Sequence, residues 1–294
     1  MHRRGSLDLA AAALGVTPSA ISQRLKSLEE HVGATLIQRG QPCIATDPGL
    51  RLIRHHEEVM LLESAVIDSL PRPATTIRIA VTADSLATWI MAALAATEGM
   101  LFDLIIDDQD HSQDLLRRGE VAAAITSHPG PLQGCDTIPL GALRYRATAS
   151  PAFMARWMPD GANAATLAKA PALTFSDKDR LQRDWITAQI GARLSFPTHR
   201  IASSQAFVDA AVLGLGWGMN PDLLTTAHLR SGALVEVIAD SPLDVPLYWQ
   251  FTRLTAQALV PLTRAIQNAA THALAAVPGM SRSISVAVAP GEIS

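Results

Sequence analysis

From Thr75 to about Val277 the chain alternates strand-like and helix-like segments, and no other feature restricts its architecture as strongly. Thr76–Thr82 is strand-like, Ser85–Thr97 helical, Leu101–Asp107 strand-like, Ser112–Arg118 helical and Val121–Thr126 strand-like. A second set follows, with strands at Ala172–Phe175, Thr198–Ala202 and Gly214–Met219 and helices at Arg180–Ile190 and Ser204–Leu213. This order predicts parallel βαβ units with right-handed crossovers. Two such sets predict an α/β domain of two lobes with a cleft between them, where a small ligand binds outside the carboxyl ends of the strands.

The first 48 residues follow a different pattern. Leu7–Leu14 reads as a short Ala-rich helix stopped by Gly15, after which Thr17-Pro18 supplies an N-cap and a proline at the first helical position. In the next helix Ile21, Leu25 and Leu28 fall on one face, while Ser19, Ser22, Gln23 and Lys26 share the opposite one. Gly33 ends it, and Leu36–Thr46 suits two short strands around a turn. Helix, tight turn, helix and hairpin is the order of a winged helix-turn-helix. Simple core packing of two amphipathic helices explains the same pattern, and the polar face separates the two readings only weakly.

A long helix is predicted from Asp47-Pro48-Gly49 to about Leu70. Leu52/Ile53, Val59/Met60 and Val66/Ile67 recur every seven residues and place an apolar seam on one side. Packing on its own domain would cover that seam, but the stiff Pro71-Arg72-Pro73 boundary favours a connector helix that dimerises through residues 50–70. The predicted organisation is therefore residues 1–48, a linker at 49–72, and a ligand domain at 73–280. Within that domain, lobe 1 covers about 75–150 and 253–280 and lobe 2 about 151–252; residues 281–294 form a mobile tail.

Composition excludes several classes. At 48% hydrophobic and 17% charged, the 294 residues can bury large cores. Two cysteines, Cys43 and Cys135, make neither a disulfide scaffold nor a four-thiolate zinc site, which fits a reducing, cytoplasmic setting. No apolar run is long enough for a membrane span, and Leu7–Leu14, broken by Asp8, is too short for a signal-peptide core. No metal site is expected: His55-His56 has no partners at ligating spacing. Gly-x-Gly-x-x-Gly, Gly-x-Ser-x-Gly and a Cys/His pair placed for nucleophilic work are all absent, which argues against an enzyme.

The formal net charge of −3 averages two opposite regions. Residues 1–46 carry Arg3, Arg4, Arg24, Lys26 and Arg39 against Asp8, Glu29 and Glu30. Residues 75–120 carry Asp84, Glu98, Asp103, Asp107, Asp108, Asp110, Asp114 and Glu120 against Arg78, Arg117 and Arg118. A cleft with that acidic bias suits a cationic ligand. Asp84, Ser85 and Leu86 stand where a strand meets its helix, Ser203-Ser204 open a helix in the other lobe, and Ser127 follows a third strand. Two hydroxyl-capped helix N-termini can hold a carboxylate, while Asp84 or Asp108 pairs with an ammonium or guanidinium group. Plain N-capping is the competing reading of Ser85 and Ser204. Trp89 and Trp249 are read as core.

The segment from Leu9 to Glu29, Leu-Ala-Ala-Ala-Ala-Leu-Gly-Val-Thr-Pro-Ser-Ala-Ile-Ser-Gln-Arg-Leu-Lys-Ser-Leu-Glu, closely resembles the DNA-binding signature of LysR-type transcriptional regulators. Ala83–Trp89, Leu116–Val121, Ser203–Val208 and Leu247-Tyr248-Trp249 resemble one branch, the arginine/lysine-responsive ArgP/LysG regulators of amino-acid export. The similarity spans about residues 5–278. It implies a winged helix-turn-helix, a linker helix that pairs two subunits, a periplasmic-binding-protein-like (type 2) effector domain, and a tetramer built from two dimers. Promoter DNA is the implied partner, with RNA polymerase a further candidate; no cofactor is implied, only a small-molecule effector, lysine or arginine.

Carried onto this chain, the family's reading positions are Thr17, Pro18, Ser19, Ser22 and Gln23. Gln23 is the best base reader, whereas Arg24, Lys26, Arg39 and Thr46 suit phosphates. The chain also departs from the family. Only four residues precede Gly5 where a full helix is usual, so a missing first helix is expected to expose the inner faces of Leu9, Leu14 and Ile21 and to weaken the domain. Ile44 and Ala45 replace a basic residue and a proline in the wing, and Gln205 replaces a common acid. A small-molecule-binding protein that has lost DNA reading is the alternative function.

Overall fold

The computed structural model describes residues 1–66, 75–106, 112–130 and 132–277. The Pro71-Arg72-Pro73 boundary, the end of the apolar seam beyond Val66, Asp108 with the rest of its acidic run, and the 281–294 tail lie outside the described residues. The chain divides into two units that meet at Thr75/Thr76.

In the first unit, helices α1 (Leu7–Leu14) and α2 (Pro18–Val32) are followed by a two-stranded antiparallel hairpin, β1 (Ile37–Gln38) and β2 (Ile44–Ala45), and by α3 (Asp47–Val66). Each boundary has a local cause. Ser6 caps α1 by accepting from Asp8 and Leu9 N–H, and Gly15, at φ 63°, ends it by adopting the left-handed conformation that side chains resist. Thr17 caps α2 with Pro18 in its first turn, and Gly33 closes it. Leu25, Leu36, Ile37, Cys43 and Ala45 form the core, against which Met1, Leu7, Leu50, Leu52 and Ile53 pack. Leu52 and Ile53 are thus turned toward their own domain.

Packing of α1 on α2 buries Ala10, Ala11 and Ile21. Leu9 and Leu14 are 57% and 66% exposed, whereas Ile21 is only 3% exposed. The exposure expected of Ile21 does not hold, because it is buried on α2, against which α1 packs. The residues before α1 take a single 3₁₀ turn, and Ala45 N–H donates to His2 Nδ1 while Cys43 N–H donates to the Gly5 carbonyl.

The second unit contains β3 (Thr75–Val81), α4 (Ala83–Thr88), α5 (Ile90–Ala95), β4 (Met100–Ile106), α6 (Ser112–Arg117), β5 (Ala123–Thr126) and the long β6 (Cys135–Ala149). It continues with α7 (Pro151–Trp157), α8 (Ala164–Leu167), β7 (Ala172–Thr174), α9 (Leu181–Ile190), β8 (Thr198–Arg200), α10 (Ser204–Val212) and β9 (Gly218–Pro221). It closes with α11 (Asp222–Ser231), β10 (Val235–Glu236), β11 (Leu243–Thr252) and α12 (Val260–Ala273).

The main sheet runs β10-β6-β11-β5-β3-β4, with β9 also on β6. β3 and β5 are parallel, as a βαβ unit requires, and β7 and β8 are parallel in lobe 2. Purely parallel pairing does not hold, because β6 and β11 enter antiparallel to each other, and β11 runs antiparallel to β5. The helix expected at 85–97 is two helices that break at Trp89, where Thr88 Oγ1 donates to the Asp84 carbonyl. β9 starts four residues later than expected, because Gly214 at φ 77° is spent on the turn that leaves α10.

The β6–β11 ladder joins the lobes. Its lower half, Cys135–Pro139 with Tyr248–Thr252, lies beside β5, whereas its upper half leads into the pairing of Tyr145–Thr148 with β9. Between the halves the register slips at Leu247/Tyr248, opposite Gly141 at φ 128°. The passage between lobes therefore falls inside these two strands rather than at their ends. Trp185, Trp217, Trp249 and Tyr145 are fully buried, and the Trp249 indole donates to Thr263 Oγ1 at 3.0 Å.

Candidate functional site

The loop from β3 into α4 delivers the central residue of the second unit. Thr82 ends the strand and caps the helix, its Oγ1 accepting from Ser85 N–H at 3.2 Å. Asp84 is then carried inward to meet the other lobe. Its two oxygens accept from Ser204 Oγ at 2.6 Å and from the Tyr145 phenol at 2.7 Å. Burial pushes the Asp84 carboxyl above the ordinary carboxylate value, the two hydrogen bonds oppose that rise, and the negative charge of Asp179 adds to it. Burial, with Asp84 beside it, likewise drives the Tyr145 phenol well above its usual value, so Tyr145 remains a donor. Both hydroxyl partners are neutral, so neither supplies positive charge to the half-buried carboxylate.

Next to this bridge lies a cavity of about 620 Å³ between the lobes. Ala83, Leu86, Ala87 and Ile106 line it from lobe 1; Phe175, Lys178 and Ala202–Gln205 line it from lobe 2. Asp84, Phe175, Ser204 and Phe207 enclose a smaller pocket that shares Phe175 and Ser204 with the larger one. Asp179 holds the lobe 2 wall in shape: its carboxylate accepts from the backbone N–H groups of Phe175 at 2.8 Å and Leu181 at 3.0 Å. The site thus sets the Asp84 carboxylate, bonded to Ser204 in the first turn of α10, beside a wall that carries Lys178 and the cap residue Ser203.

Of the residues expected here, Asp84, Leu86, Ser203 and Ser204 come together. Ser85 does not reach the cavity: α4 begins at Ala83, which turns Ser85 into the core, where its fully buried hydroxyl accepts from Thr82 Oγ1. Ser127 is half-buried and does not line the cavity. Asp108 lies outside the described residues. Tyr145, Phe175, Lys178 and Asp179 were missed, because Tyr145 sits in the middle of a long strand and the other three on a loop, with no local motif to mark them.

In the first unit, Thr17, Pro18, Ser19, Gln23, Arg24 and Lys26 are exposed on α2, and Ser22 is half-buried. Arg39 reaches from the hairpin to donate to Ser22 Oγ at 3.4 Å, so the wing's cation lies beside the start of the helix. Lys26 contacts Glu30 at 3.7 Å across one exposed turn. Thr46 has an internal role, donating to the Thr35 carbonyl at 2.6 Å and accepting from Gly49 N–H. Glu29, which sequence reasoning counted only as an acid, fixes the hairpin to α2 by accepting from Leu36 N–H at 2.7 Å and Ile37 N–H at 3.2 Å. An exposed polar helix face with an arginine wing beside it is a shape that enters a DNA major groove.

Two family descriptions match the chain: the bacterial regulatory helix-turn-helix protein, lysR family, over residues 1–50, and the LysR substrate binding domain over residues 71–275. The HTH-type transcriptional regulator LysG of Mycobacterium tuberculosis is 42% identical over 271 residues, covering 91% of this chain and 89% of that protein. The lysine export transcriptional regulatory protein LysG of Corynebacterium glutamicum is 36% identical over 281 residues, covering 92% and 94%. Among solved structures, ArgP from M. tuberculosis superposes with a TM-score of 0.77 at 41% identity, covering 94% of this chain and 96% of that one. Full-length C. glutamicum LysG with bound effector Arg superposes at 0.66 and 34% identity, covering 93% and 95%. The chain is accordingly a member of the LysR family, a DNA-binding transcriptional regulator with a winged helix-turn-helix and a two-lobed, periplasmic-binding-protein-like effector domain.

Proposed function

We propose that the effector is a basic amino acid, lysine or arginine, and that the regulated promoter serves an exporter of that amino acid. The half-buried Asp84 carboxylate carries the reading, because it lies beside the cavity with only neutral hydrogen-bond partners. A cationic side chain would offset its desolvation, and the α-carboxylate would lie toward Lys178. The lysine export regulator LysG of Corynebacterium glutamicum, whose structure carries arginine, supports the same ligand class.

On the DNA side Gln23 reads a base edge from α2, with Arg24, Lys26 and Arg39 on phosphates. Subunits pair through α3, and two dimers form the working tetramer. Met60 is exposed on that helix, consistent with a surface awaiting a partner. Effector binding between the lobes shifts their arrangement and thereby the dimers on promoter DNA. Contact with RNA polymerase belongs to this scheme as the step after promoter binding.

Thermal unfolding of the full chain against lysine, arginine, glutamate and phenylalanine tests the ligand class. Lysine or arginine should raise the midpoint by a few degrees at concentrations about a hundredfold above Kd, a stabilisation of about 2.7 kcal/mol. Asp84→Asn should lose that response. Stabilisation by glutamate or phenylalanine alone overturns the proposal.

A further inference from the structure

α9 and the loop that follows it carry another concavity, which shares no lining residue with the cleft, about 470 Å³ and lined by Arg180, Arg183, Asp184, Thr187, Ala188 and Arg193. Three guanidinium groups and one carboxylate face it, and the carboxylate engages only Arg180, at 3.9 Å. Arg183 and Arg193 have no ion-pair partner among the described residues. Several other arginines of the unit are matched closely, Arg78 to Asp103, Arg144 to Asp244, Arg253 to Asp136, and Arg146 to both Asp222 and Glu236, and the α9 groove is distinguished by gathering three arginines around one hollow. The groove is therefore a local excess of positive charge in a chain whose net charge is −3.

The placement is unfavourable for folding alone. Arg180 is the N-cap of α9 and makes no capping hydrogen bond, and Arg183 lies in the first turn, where the helix end is already positive. Gly191, at φ 71°, turns the chain after α9 so that Arg193 joins Asp184, Thr187 and Ala188 around the same hollow. Guanidinium forks match pairs of oxyanion oxygens, and Thr187 and Asp184 add a hydroxyl and an acceptor for a ligand's hydroxyl or amine. The hollow is a surface concavity whose lining side chains are exposed and open to a ligand from solvent.

We infer that the α9 groove is a second ligand site, distinct from the effector cleft, and that it takes a small phosphorylated compound with two or more phosphate oxygens to share among the arginines. Its concave form favours a compact anion over the convex backbone of duplex DNA.

Calorimetric titration of the full chain with sodium pyrophosphate at constant ionic strength tests this. The expected result is one saturable site per chain, weakened about tenfold or more by Arg183→Ala with Arg193→Ala and only partly restored by Arg183→Lys with Arg193→Lys, because lysine lacks the fork. The thermal response to arginine in the cleft should be the same in all three proteins, which shows that the variants are folded and separates this result from the effector assignment. Heat that sodium chloride reproduces, pyrophosphate binding that survives the alanine pair, or arginine-dependent binding of poly-glutamate without pyrophosphate binding would each overturn the inference.

Discussion

Asp84 has a cost that the free protein carries and a cationic ligand relieves. Its carboxyl sits above the ordinary value because burial penalises the charged form. A proton is then held more tightly in the folded chain than in the unfolded one, so this group's contribution to stability is largest in acid. It falls as pH rises from the ordinary carboxylate value through the raised one. Binding of a lysine or arginine side chain favours the ionised form, so affinity should rise with pH across that same interval. Calorimetry of arginine binding at a series of pH values checks the sign, and affinity that falls with rising pH there would contradict it. On α2 and the hairpin, Gln23→Ala should cost about 1–3 kcal/mol against the cognate base pair and leave binding to unrelated DNA unchanged. Arg39→Ala should weaken binding to every sequence and lower the salt slope by about one. Mobility-shift titrations at several salt concentrations distinguish the two.

Elements in this chain begin and end for reasons that vary in their visibility. Gly49, near the start of α3, has no room for a side chain: a Cβ there would lie 2.0 Å from the Leu36 carbonyl oxygen. Gly49→Ala should therefore push α3 away from the hairpin, cost about 1–3 kcal/mol or more, and reduce DNA binding while the thermal response to arginine persists. The end of α1 and both boundaries of α2 were legible because Gly15, Thr17, Pro18 and Gly33 act through neighbours a few positions away. Ser85 was misjudged for a related reason. The cap belongs to Thr82, three residues earlier, and that shift of register turns the Ser85 hydroxyl inward. At the break by Trp89 the Thr88 hydroxyl bonds back to the Asp84 carbonyl, a contact that hydrophobic spacing does not register.

At the scale of the whole molecule, the α/β character of the second unit could be read from strand and helix alternation, but its pairing could not. β6 and β11 are 108 residues apart at their first residues, Cys135 and Leu243, and their ladder is set by long-range contacts that leave no local pattern. The same holds for the site. Asp84 could be found from its place after a strand, whereas Tyr145 and Ser204 reach it across 61 and 120 residues of chain.

The shared ladder also determines how the effector domain can be divided. A segment that contains only lobe 2 would sever both β6 and β11 near Gly141 and Leu247, leaving two strand edges unpaired. The lobes are thus halves of one folding unit rather than exchangeable modules. Residues 141–247 expressed alone should aggregate or show little hydrogen-exchange protection, whereas residues 75–277 expressed together should melt in a single cooperative transition.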